Sequence, residues 1–196
     1  MKKFITLLVI MILSVNLNAQ DFEKGGNYLT IGYGLDPWGH AISNTNAWGG
    51  NNGSYRKTSL GPTILMYERG ITDILGIGRI GAGGGLAHSI YTQKWVDNSY
   101  EVKDIRQRFS IILKAAYHFE FDIPKMDVYA GVGALIHHYT DTQKDNLGFV
   151  DSRSTGIGAG HYVFAGIRYY FTDAIGVYAE AGHGLAALNG GLVFKF

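Results

Sequence analysis

Seven histidines and no cysteine limit the chemistry open to this chain of 196 residues. Without thiols there is no disulfide, no Cys nucleophile and no Cys-linked lipid anchor. His137 and His138 are adjacent. Successive side chains on a strand point to opposite faces, so this pair cannot share a metal. His88 precedes Ser89 directly, and the same geometry keeps a base from its nucleophile. No metal, cofactor or catalytic set is expected. A second group of residues has more to offer. Glu68, Arg79, Arg106, Arg108, Lys114, His118, Glu120, Arg168, Glu180 and Lys195 recur within apolar, alternating segments. Charges spaced in this way share one face of a strand and can pair across strands in a polar network. The same residues could instead line a selective channel.

These side chains need strands to hold them. Residues 105–121 give the clearest alternation: Phe109, Ile111, Leu113, Ala115, Tyr117, Phe119 and Phe121 against Arg106, Arg108, Ser110, Lys114, His118 and Glu120. A helical period of 3.6 fails over this stretch. Further strands are expected at 27–35, 58–68, 74–88, 127–139, 155–171 and 175–185, with a last one inside 188–196. The faces of 58–68 stay undecided, because Ile64 and Met66 compete with Leu65 and Tyr67, and Pro62 weakens its upper part. Three long polar segments, 36–57, 89–104 and 140–154, read as loops; 69–73, 122–126 and 172–173 read as tight turns.

Composition adds direction. The chain has 28 Gly, 13 Tyr and 10 Phe but 3 Pro, a mixture suited to a twisted closed sheet with small residues inside and rings outside. Residues 1–19 combine Lys2 and Lys3, an apolar run from Phe4 to Val15 and Ala19 before Gln20. This is the pattern of a secretory leader, leaving 20–196 as one domain. Loss of Lys2 and Lys3 moves the formal net charge from +1 to −1, and no basic excess points to nucleic acid. No later segment approaches the roughly 20 apolar residues of a membrane helix.

The strand count is even, and long connections alternate with tight ones. Outward aromatics gather where every second strand reaches a tight turn: Tyr67; Tyr117, Phe119 and Phe121; Tyr169 and Phe171; Phe194 and Phe196. Rings at one height form an interfacial girdle. The expected fold is therefore all-β, an eight-stranded antiparallel up-and-down transmembrane β-barrel. The final stretch, with Gly191, Phe194 and Phe196, resembles the C-terminal assembly signal of bacterial outer-membrane barrels, and the whole pattern resembles the small barrel family of OmpA and OmpX type. That resemblance implies a Gram-negative outer membrane, contact with its lipids and lipopolysaccharide, and insertion by the barrel-assembly machinery with periplasmic chaperones. Some small barrels are lipid-modifying enzymes, and the deacylase among them uses a His-x-Ser pair; none occurs here, as His183 is followed by Gly184 and Leu185. An eight-stranded interior is filled by side chains, so a plugged barrel with a structural or surface-interaction role is expected ahead of a narrow pore, and a lipid enzyme last. A surface ligand would meet the external loops, which hold Trp38, Trp48, Tyr55, Tyr91, Trp95 and Tyr100.

Overall fold

The computed structural model describes residues 22–35, 43–44, 53–121 and 123–196. The leader read in 1–19, and Trp38 and Trp48 of the first long segment, lie outside the described residues. The strands are β1 (Asn27–Leu35), β2 (Ser43–Asn44), β3 (Gly53–Gly70), β4 (Gly78–Asp97), β5 (Tyr100–Phe119), β6 (Met126–Asp145), β7 (Asp151–Tyr170), β8 (Ile175–His183) and β9 (Leu188–Lys195). There is no helix among the described residues. Consecutive strands from β3 to β9 pair antiparallel, and β1 pairs with both β9 and β3. The sheet therefore returns on itself as one ring of eight up-and-down strands. The two-residue β2 adds to β3 beyond the ring, with Ser43 opposite Lys57.

Period two sorts the side chains. On β5, Ser110, Ile112, Lys114, Ala116 and His118 are buried, while Ile111 and Leu113 are exposed. On β7, Tyr162, Phe164, Arg168 and Tyr170 are buried between exposed Val163, Ile167 and Tyr169. β3 settles its faces in the same way: Ile64, Met66 and Glu68 turn inward, Leu65 and Tyr67 outward. Its register shifts between Leu60 and Thr63, at Pro62, which has no N–H for the ladder. Glycine matters where β9 closes against β1. A Cβ on Gly191 would lie 2.1 Å from the Ile31 carbonyl oxygen, so only a bare backbone fits there.

Two segments expected as loops are strands. The 89–104 segment forms the upper β4–β5 hairpin, paired up to Asp97 opposite Tyr100, with Asn98 at φ 53° in the turn. The 140–154 segment continues β6 and β7 up to Lys144 opposite Asp151. Its turn is held by the Asp145 carboxylate, which accepts from the backbone N–H of Leu147, Gly148, Phe149 and Val150 at 2.5–3.1 Å. Neither face of these hairpins is consistently apolar, so the alternation that marks a strand disappears while backbone pairing continues. Cross-strand contacts take over, such as Lys94–Glu101 at 2.7 Å and the edge-on rings of Trp95 and Tyr100.

The ring is therefore lopsided. β8 and β1 end near the level where β7 pairs Val163 with His183, whereas β3 to β7 continue beyond it. The opposite end, here the turn end, carries the connections 71–77, 120–125 and 171–174, which are no tighter than the two-residue turn between Asp97 and Tyr100.

Candidate functional site

The turn end of the ring holds a buried ionic cluster centred on Glu68. Glu68 is 1% exposed and comes from β3. Its carboxylate meets Lys114 Nζ of β5 at 3.1 Å, His118 Nε2 of β5 at 3.1 Å and the Arg168 Nη2 of β7. His118 Nδ1 lies 2.8 Å from Asp127 of β6, and Arg168 Nη1 lies 3.4 Å from the same carboxylate. Both imidazole nitrogens thus face carboxylates. The Arg168 guanidinium lies 4.7 Å from the Tyr129 ring centroid and 5.4 Å from that of Tyr28. Deeper in the ring, Glu180 of β8 accepts from Tyr129 Oη and Asn189 Nδ2, each at 3.1 Å. Arg79 of β4 pairs with Glu120 at 2.9 Å and donates to the Phe22 carbonyl at 3.0 Å.

Chemically, this is a fixed charge network. An Asp–His pair can serve as a general base when the far nitrogen is free to take a proton. Here Glu68 occupies that nitrogen, and Phe22 stacks on the ring with centroids 3.4 Å apart and planes within 3°. No substrate atom has access to it. Phe22 lies ahead of β1, is 5% exposed and also stacks on Tyr28 at 4.7 Å. The segment is tied to the ring by Gly25 N–H to the Gly70 carbonyl at 2.9 Å and by Glu23–Lys195 at 3.2 Å. Phe22→Ala leaves a hole against His118 and Tyr28, and we expect a loss of about 3 kcal/mol, read from the urea midpoint of the folded protein.

Of the charged residues expected inside, Glu68, Arg79, Lys114, His118, Arg168 and Glu180 are buried together. Glu120 is part-buried beside Arg79, and Lys195 part-buried at the turn end. Arg106 and Arg108 keep the inward register of Ser110 but do not join the network. They stand at the far end of the ring and are exposed, Arg106 with Asp104 at 3.7 Å and Asp141 at 4.0 Å. The reason is height: β5 is 20 residues long, and its first third lies above the filled part of the ring. Asp127, Asn189 and Phe22 were not in the expected set. Asp127 shares the parity of Tyr129, Gly131 and Gly133, so strand alternation carried a usable signal for it. Phe22 precedes the first strand and carried none.

The outer aromatics lie at the turn end as expected. Tyr117, Phe119 and Phe121 contact one another in sequence, with centroids 5.2 and 5.8 Å apart. Tyr169 meets Phe171 at 5.7 Å, and Tyr67 Oη donates to Asn27 Oδ1 at 2.7 Å. Phe194 and Phe196 take the outer face of the β9 end. Between this band and the long hairpins the outer surface is mainly aliphatic, with Leu65, Leu86, Ile111, Leu113, Val132 and Ile136 exposed.

At the other end of the ring lies a cavity of about 690 Å³, lined by Ala87, Arg108, Ser110, Leu135, His137 and Leu185 among others. Fold and site together define a class: an all-β ring of eight antiparallel strands with ions inside and apolar side chains outside. No protein-family model matches the chain, and no curated protein matches it.

Proposed function

We propose that this chain is a transmembrane β-barrel of a Gram-negative outer membrane, plugged at its core, that serves as a rigid carrier for its external hairpins in a structural or surface-interaction role. The observation that carries the reading is the inverted polarity. Glu68, Lys114, Arg168 and Glu180 are buried, while Ile31, Leu113, Val132, Ile136, Val163 and Ile167 are 47–66% exposed on the outer face. A surface of this kind is poorly suited to water, and a bilayer accepts it because a closed sheet leaves no backbone group unpaired.

Strand lengths support the same placement. A strand crosses a bilayer in roughly 9–11 residues. β1 and β8 have 9 residues each, while β4 to β7 have 20 each. About half of each long strand therefore projects past the membrane, and these polar ends offer the surface to partners. The aromatic band around Tyr117, Phe119 and Tyr169 would sit at the opposite, periplasmic interface. Lipids and lipopolysaccharide are the proposed surroundings, with the assembly machinery and chaperones as transient partners after removal of the leader read in 1–19. No cofactor and no catalytic step are assigned.

Reconstitution into planar bilayers tests the plugged reading. We expect a folded, heat-modifiable band on gels and no large, steady conductance. Sustained conductance would replace the plug by a pore. Solubility of the folded protein without detergent would remove the membrane placement itself.

A further inference from the structure

The filled core ends on Ile112, Leu135 and Leu185, which belong to one buried apolar cluster. Above it the ring is open enough to hold the 690 Å³ cavity, within the roughly 300–1,000 Å³ of small-molecule sites. Its floor is apolar: Ala87, Leu135 and Leu185 are each buried and line it. Its wall is polar and basic. Ser110 of β5 stands opposite His137 of β6 in the sheet, and Arg108 stands two residues further up the same face of β5. Arg106 has Asp104 and Asp141 within 4.0 Å. Arg108 also lines the cavity and has no carboxylate within ion-pair distance among the described residues. The cavity thus combines a greasy base with a guanidinium above it that has no carboxylate partner among the described residues.

We propose that this cavity is a binding site for a small amphipathic anion, with a compact apolar body against Leu135, Ala87 and Leu185 and a carboxylate or comparable acid group on Arg108. A guanidinium takes such a group in a two-pronged hydrogen bond. Ser110 and His137 lie on the same wall, between the charge and the floor, and set the depth at which the polar end stops. The long hairpins of β4 to β7 form the approach. The network around Glu68 closes the way down, so the site holds its ligand and does not conduct it.

Equilibrium dialysis against protein in phosphatidylcholine nanodiscs, with empty nanodiscs as blank, tests this with 2-naphthoate as probe. Wild type should show one saturable site. The neutral isostere 2-naphthylmethanol should bind roughly tenfold more weakly, the usual effect of losing one hydrogen-bonded charge. Arg108→Gln changes an exposed side chain outside the buried network, and its folding is checked by the heat-dependent gel shift. It should reduce 2-naphthoate to the level of the neutral probe and leave the neutral probe unchanged. The proposal is overturned if no saturable site appears above the blank, or if Arg108→Gln binds 2-naphthoate as wild type does. It is equally overturned if inorganic phosphate binds as tightly as 2-naphthoate, since that would make the site one for bare anions.

Discussion

Glu68→Gln should destabilise the folded protein by about 3–5 kcal/mol, the largest effect expected of any single polar substitution here. Among the described residues, Glu68 is the one carboxylate that meets three basic side chains at once: Lys114, His118 and Arg168. The amide keeps the shape and removes the charge. Asp127 alone then faces His118 and Arg168, and Lys114 loses its ion pair and keeps the rings of Phe164 and Tyr129, at 5.1 and 5.5 Å. A buried cation without its partner is far more costly than the absence of both. A second substitution separates this cause from simple loss of packing. Lys114→Met in the Glu68→Gln background removes the surplus charge at similar volume, so the pair should lose less than the sum of the single changes. The urea midpoint in lipid vesicles measures all three variants. A Glu68→Gln midpoint indistinguishable from wild type would mean that the cluster does not hold the strands together.

Leu113→Arg should cost about 2–4 kcal/mol in a bilayer and almost nothing if the same face were wetted. Leu113 points outward from the middle of β5, between Gly84 of β4 and Ala134 of β6, and is 66% exposed. An exposed position on a water-soluble protein tolerates such a change within about 0.5 kcal/mol. In hydrocarbon the guanidinium must reach an interface or remain poorly solvated. Gln107 is on the same face of the same strand, six residues higher, and is exposed and already polar. Gln107→Arg should therefore be nearly neutral. The difference between the two arginines, measured by urea unfolding in vesicles, reads the depth of the bilayer along β5. Equal effects at both positions would contradict the membrane placement.

The part of the fold visible in the residues is the part governed by one strong contrast. Where one face is apolar and the other charged or small, as on 105–121 and 155–171, alternation assigned both strand and face, and Arg79, Lys114, His118, Arg168 and Glu180 fell where expected. The reading failed where that contrast fades. Above the aliphatic belt neither face of β4 to β7 is consistently apolar, so backbone pairing leaves no trace in hydropathy, and two long hairpins looked like loops. Arg106 and Arg108 show the related limit: parity gives the face of a side chain but not its height, and height decides whether a charge is buried in a network or exposed above a cavity. Phe22 shows a third, since a residue outside any strand has no period to place it.

Sequence by itself determined that this chain forms alternating antiparallel strands with ionic groups on the inner face, because a two-residue period maps each side chain to a side of the sheet whatever its partners. Only the tertiary structure decided which charges meet. Closing β1 against β9 and β3 brings Glu68, Asp127 and Arg168, from three strands distant in the chain, within a few ångströms of one another. That meeting depends on the register and tilt of every strand around the ring, a sum over all pairings that no local stretch contains.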